Sequence, residues 1–388
     1  MPDSDDKRHS LETRLVHAGD EEYRIEGALT TPIFQSSTFQ SREEASYHDI
    51  RYARLSNTPT HHALHAKLAS IESGEAALVT SSGMAAIATA SLTYLEAGDH
   101  LLAQNVLYGG TFDLFTRDLP SLGIQIDYFD GDQPESWKGK LREETRVIYA
   151  EAITNPLMGV ADHESIVAFA RENDLVAMID NTFASPINFR PLEIGYDVVL
   201  HSATKYLNGH TDLIAGAIIA SHERVNEIRR KLNHFGASLD PHACYLLARG
   251  LKTLALRVRQ QNATALELAR ALDGHDRVRR VYYPGLDCHH QHERAKRLFA
   301  GFGGMLGFDL HADLEETEAF LHRLSIPVQA PSLGGLETLV TRPAVSSHAG
   351  LTAEERAAAG IRDTLVRVSV GIESADDLVD DFFSALNA

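Results

Sequence analysis

The chain has 388 residues, 44% of them hydrophobic and 23% charged, with a formal net charge of −18. That length can bury a core without disulfide or metal staples, and the surplus acidity disfavours nucleic acid and anionic membrane as partners. Two cysteines, Cys244 and Cys288, provide no disulfide framework and fit a reducing cytosol.

The opening decapeptide MPDSDDKRHS is polar and carries no apolar secretory stretch. Residues 1 to about 50 lack strong periodicity and read as an extended arm, a common oligomer contact. From residue 60 helix and strand signals alternate. Ala63 to Ile71 places Leu64, Leu68 and Ile71 on one helical face, which predicts that His61, His62 and His65 lie on its solvated side. Short apolar runs follow at Ala76 to Thr80, His100 to Ala103, Ile124 to Tyr128, Arg146 to Ala150, Leu175 to Ile179, Asp197 to His201 and Ile214 to Ala220. Helical stretches separate several of them, as in a mostly parallel sheet covered on both faces. A long helical stretch is predicted from about His242 to Leu272. Strands follow at Val278 to Tyr282, Met305 to Leu310 and Thr364 to Val370, with a helix at Leu314 to Leu324. The expected organisation is an arm (1–57), a large α/β domain (58–245) and a smaller C-terminal α+β domain (246–388).

Ligands of parallel sheets sit beyond the carboxyl ends of the strands. Polar residues collect at those predicted ends: Ser82 and Gly83, Tyr108, Asp180, and the group Ser202, Thr204 and Lys205. Singly, each is ordinary: a lysine after a strand is usually a surface lysine, and an Asp-Asn-Thr turn usually caps a helix. Together they match one chemistry. A lysine amine forms an imine with an aldehyde cofactor, and hydroxyls and amides at a helix start hold its phosphate. A carboxylate keeps a pyridine nitrogen protonated, and a tyrosine stacks on the ring. The set points to pyridoxal 5'-phosphate (PLP) on Lys205.

The motifs LVHAG (15–19), YAR (52–54), TSSGMAAI (80–87), YGGT (108–111), IDNTF (179–183), HSATKYLNGH (201–210), RGLKTL (249–254), SLGG (332–335) and VRVSVGIE (366–373) span nearly the whole chain. In this order they resemble the Cys/Met-metabolism family of fold-type I PLP enzymes, which includes cystathionine β- and γ-lyases, cystathionine γ-synthase, methionine γ-lyase and O-acylhomoserine sulfhydrylases. The resemblance implies that Lys205 binds the cofactor covalently and shuttles protons. By the same resemblance Asp180 partners the pyridine nitrogen, and Tyr108 stacks on the ring and assists acid–base work. Gly83, Met84, Ser202 and Thr204 match the phosphate cup. Tyr52 and Arg54 match a pair that reaches the phosphate of a neighbouring subunit. Arg367 matches the clamp on the substrate α-carboxylate, and Asn155 and Ser332 match residues that position ring, carboxylate or lysine. The resemblance thus implies a soluble cytoplasmic homo-oligomer, built as a dimer of dimers with shared sites, acting on a small amino acid. The expected activity is carbon–sulfur lysis of cystathionine or a related thioether amino acid by β- or γ-elimination, with γ-replacement synthesis as the alternative. A non-catalytic scaffold is the reading from another class, disfavoured by the intact Lys205, Asp180 and Arg367.

Three departures bear on substrate choice. Asn57-Thr58-Pro59-Thr60 carries one residue more than the family's Asn-Pro-Thr, a change expected at the pocket rim. Gly110 stands where methionine γ-lyases carry cysteine, and Pro331 where cystathionine γ-lyases and γ-synthases carry glutamate. Cys288, His289, His290 and His292 lack the spacing of a closed zinc site and are expected to form a surface loop rather than a metal centre. Gly301 to Gly307 lacks dinucleotide-fingerprint spacing and suits a strand.

Overall fold

The computed structural model describes residues 9–41, 46–47, 50–347, 349–350, 352–358 and 360–388. Its larger sheet contains β1 (Ala76–Thr80), β2 (His100–Gln104), β3 (Gln125–Phe129), β4 (Thr145–Glu151), β5 (Val176–Asp180), β6 (Val198–Ser202) and β7 (Gly216–Ala220). They are ordered β1-β7-β6-β5-β4-β2-β3. Strand β7 runs antiparallel to its neighbours β1 and β6. All seven apolar runs become strands, within a residue or two of the predicted bounds. Successive side chains along a strand face opposite ways. In β5, Ala177 and Ile179 therefore enter one apolar cluster with Leu64 and Leu68, while Met178 enters the other with Ala86, Ile87 and Ala90. Burial on both faces explains why these strands read as continuous apolar runs rather than alternating ones. The arrangement is the α/β fold that the motif resemblance implies.

The smaller sheet contains β8 (Val278–Tyr282), β9 (Met305–Leu310), β10 (Val328–Gln329), β11 (Leu339–Thr341) and β12 (Leu365–Ser369), ordered β10-β11-β12-β9-β8. Val366 and Val368 of β12 pack with Phe308, Leu268 and Phe382 in a third cluster. The neighbouring Arg367 projects from the opposite face by strand alternation.

Several expectations change. The arm contains a helix, α1 (Leu11–His17), anchored by Lys67, whose buried ammonium donates to the carbonyls of Leu15 and Val16 at 3.1 and 3.3 Å. The long helical stretch is two helices, Pro241–Leu251 and Leu254–Asp273, interrupted at Lys252 and Thr253. The solvated histidine face is also overturned. Helix α2 (Pro59–Ile71) buries His61 and His65. His61 bonds Thr58 Oγ1 and the Leu239 carbonyl, both at 2.8 Å, and His65 Nε2 accepts from Val79 N–H at 3.2 Å. These partners explain the burial: an imidazole with satisfied nitrogens is tolerated inside a protein. In the Cys288 to His292 segment, His289 is likewise buried although Cys288 is exposed. The extra residue Thr58 caps α2, with Pro59 at the first helical position. It is fully buried, does not line this chain's own cavity, and takes the place of a helix start.

Candidate active site

A cavity of about 540 Å³ opens at the carboxyl ends of the parallel strands. Ten sequence-predicted site residues line it: Gly83, Met84, Tyr108, Asn155, Asp180, Ser202, Thr204, Lys205, Ser332 and Arg367. Tyr52 and Arg54 do not. Arg54 donates to the Asn233 carbonyl at 2.6 Å and stacks over Tyr52 at 5.7 Å.

Lys205 follows β6, and its Nζ donates to Ser332 Oγ at 2.7 Å. Burial, and then the charge of Arg367, bring its ammonium down to about 8. A far larger share of free amine is present near neutrality than an exposed lysine offers. Arg367 is buried and comes from the middle of β12. Its Nη1 donates to Asn155 Oδ1 at 3.0 Å and its Nη2 to the Ser332 carbonyl at 3.2 Å, while Nε is buried without a partner. Among the described residues no carboxylate pairs with it, and burial lowers its guanidinium to about 10. A buried cation without an internal counterion is prepared for an anionic ligand.

Helix α3 (Gly83–Tyr94) begins at the cavity wall, and its cap Ser82 accepts from Ala85 N–H at 3.1 Å. A Cβ on Gly83 would lie 2.8 Å from Ser202 Cβ, so only glycine lets the helix start approach β6 this closely. The amides there, with the Ser202 and Thr204 hydroxyls, form a phosphate-sized cradle. Thr204 is itself fixed, because its hydroxyl exchanges bonds with Ala215 N and O at 3.0 and 3.2 Å. Asp180 ends β5 at the cavity floor. Burial raises its carboxyl, opposed by bonds from Thr182, whose N–H donates at 2.9 Å, and by the charge of His201. A depressed-pKa lysine, a helix-start cradle and a floor carboxylate are the donor set PLP requires.

Gly110 is the second residue of the short helix α4 (Gly109–Asp113), which Tyr108 precedes. A Cβ there would meet Tyr108 Cε1 at 2.7 Å and Met84 Sδ at 3.1 Å, so glycine at this position frees the tyrosine ring's place. Pro331 lines the cavity next to Ser332. Glu151, the last residue of β4, also lines the cavity and was not among the predicted site residues. An acidic residue closing an apolar run was the available signal, since it mirrors Asp180 closing β5.

Residues 12–387 match the family described as Cys/Met metabolism PLP-dependent enzyme, and the chain belongs to that family. Fold, lysine-bearing cavity and membership together define a PLP-dependent carbon–sulfur lyase. The chain is 41% identical to the cystathionine beta-lyase of Lactococcus lactis subsp. cremoris, covering 97% of this chain and 99% of that one. It is 40% identical to the L-methionine gamma-lyase of Fusobacterium nucleatum subsp. polymorphum, with 98% of each covered. The crystal structure of cystathionine gamma-lyase from Lactobacillus plantarum complexed with L-serine superposes with a TM-score of 0.92 at 36% identity, over 98% of this chain and 99% of that chain.

Proposed function

We propose that this lyase cleaves cystathionine or a related thioether amino acid by β- or γ-elimination. The observation that carries the reading is the meeting of Lys205, Asp180 and the counterion-free Arg367 in one cavity. Relatives named for both β- and γ-elimination support the choice of a thioether substrate.

Bound PLP supplies an aldehyde that captures an amine and a ring that takes up negative charge. Lys205 holds it covalently, and Gly83, Met84, Ser202 and Thr204 hold its phosphate. Asp180 keeps the proton on its ring nitrogen, and Tyr108 covers the ring. Arg367 binds the substrate α-carboxylate, its fork oriented by Asn155 and the Ser332 carbonyl. The Lys205 amine, freed when the substrate amine takes its place and aligned by Ser332, takes the proton from Cα. Tyr108, which lines the cavity, assists proton transfer at the substrate amine. Loss of the sulfur from Cβ as a thiol leaves an unsaturated amine, which water hydrolyses to pyruvate and ammonia. Removal of a second proton at Cβ permits loss of the thiol from Cγ instead, and water then gives 2-oxobutanoate and ammonia.

Tyr52 and Arg54 lie off their own chain's cavity and complete that of a partner copy, which makes the working unit a homodimer, paired into a tetramer. The arm, the PLP-binding domain and the C-terminal domain divide at residues 57 and 245. The two-cysteine composition supports a cytoplasmic enzyme. Separately, no helix among the described residues is long and apolar enough to cross a membrane.

Product analysis tests the reading. The holoenzyme is incubated with cystathionine, and separately with an O-acylhomoserine plus cysteine. Pyruvate with homocysteine marks β-elimination, and 2-oxobutanoate with cysteine marks γ-elimination. Cystathionine synthesis without a 2-oxo acid from any sulfur substrate would overturn it.

A further inference from the structure

Glu151 is a buried carboxyl for which the reaction above has no use. It closes β4 as Asp180 closes β5, and the two are directly paired in the parallel register. Paired residues of neighbouring strands share a face, so both carboxyls reach the cavity floor. Glu151 is 5% exposed and Asp180 9%. From the other side, Glu151 Oε1 accepts the Tyr108 N–H at 2.6 Å. That amide belongs to the residue preceding α4, and its bond fixes where Tyr108 leaves the chain.

We propose that Glu151 is a positioning residue of this site: it anchors Tyr108 through the backbone amide and stands as a neutral carboxyl beside Asp180, leaving Asp180 to carry the charge at the cofactor's ring nitrogen.

The two carboxyls differ in their support. Asp180 receives hydrogen bonds from the Thr182 amide and hydroxyl and feels the charge of His201. Glu151 has one amide, from Tyr108, while burial and then the Asp180 charge oppose its ionisation. Two like charges on adjacent buried strand ends do not both ionise without large cost, so the less supported one keeps the proton. Tyr149, on the same face of β4, is held neutral by burial and next by the Asp180 charge, and does not compensate. The arrangement thus separates two jobs that a lone carboxylate would have to combine. It rests on PLP dependence and not on which thioether is cleaved.

The test compares Glu151→Gln and Glu151→Ala with wild type, reading PLP affinity of the apo protein by absorption titration, apo thermal midpoint, and kcat against KM. Glutamine keeps the acceptor for Tyr108 N–H and offers amide hydrogens where the carboxyl proton sits. The expected result is PLP affinity and kcat within about twofold of wild type for Glu151→Gln. For Glu151→Ala, affinity falls about tenfold and kcat falls more than KM rises, as for one lost buried hydrogen bond. A glutamine variant as impaired as the alanine variant overturns the proposal, because the negative charge would then be required. Wild-type PLP affinity and kcat in Glu151→Ala also overturns it. Wild-type product analysis is unaffected by either result, so the two readings fail separately.

Discussion

Ser332 joins Lys205 to Arg367: its hydroxyl accepts from Lys205 Nζ at 2.7 Å, and its carbonyl accepts from Arg367 Nη2 at 3.2 Å. The serine holds a left-handed φ of +104°, unusual for a residue with a side chain. Backbone conformation and hydrogen bonding are therefore spent together on aligning the proton-transferring amine with the carboxylate clamp. Ser332→Ala removes one of these bonds and keeps the other. It should lower kcat by about 3- to 10-fold, with little change in KM, as expected for one bond worth about 1 kcal/mol. Steady-state kinetics with cystathionine checks this, and an unchanged kcat would remove the hydroxyl from the alignment of Lys205.

The amine of Lys205 sets the pH dependence of cofactor capture. Its ammonium titrates near 8, chiefly because burial disfavours the charged form and secondarily because Arg367 repels it. Only the free amine attacks an aldehyde. The rate of PLP capture by apo protein should therefore rise about tenfold per pH unit below the midpoint and level off above it. Arg367→Gln removes a repelling charge, so the midpoint should move upward. Stopped-flow absorption across this range makes the measurement; a downward shift in the variant would contradict the assignment.

Arg367→Lys keeps a positive charge and loses the fork. The guanidinium divides its nitrogens between Asn155, Ser332 and the site, which an ammonium on a shorter contact set does not reproduce. The expected loss in kcat/KM is about 10- to 100-fold, carried mainly by KM, because the change falls on carboxylate binding. A carboxyl-blocked substrate analogue should bind wild type and variant equally. Preferential loss of that analogue would place Arg367 elsewhere in the reaction.

Much of this site is legible along the chain because the parallel sheet sends its strand ends to one edge. Lys205, Asp180, Ser202 and Gly83 each follow or close an apolar run, and that position alone marks them as strand-end residues. Arg367 carries no such mark, since it sits mid-strand in the second sheet and reaches the cavity only through packing between sheets. Glu151 is hidden for a different reason: an acidic residue ending an apolar run looks like an ordinary strand boundary until the register pairs it with Asp180. Strands β10 and β11, of two and three residues, are too short for periodicity to register. The histidines of α2 mislead because helical spacing records which face is polar, while polar partners such as the Leu239 carbonyl come from distant sequence.

Thr58 carries a structural role that the resemblance does not suggest. As an extra residue beside Tyr52 and Arg54 it suggests an altered pocket, yet it caps α2 and bonds the buried His61 Nδ1 at 2.8 Å. Thr58→Ala removes the cap and leaves an imidazole nitrogen without its partner, and burial already lowers the His61 imidazolium. Protonating that ring is not an escape near neutrality, so the loss falls on stability. The expected cost is about 1 to 2 kcal/mol, seen as a lower thermal midpoint of the holoenzyme. The ratio of rates with cystathionine and methionine should stay as in wild type. Thr58→Ser, which keeps the hydroxyl, should recover most of the stability. A change in the substrate ratio without loss of stability would return Thr58 to the pocket rim.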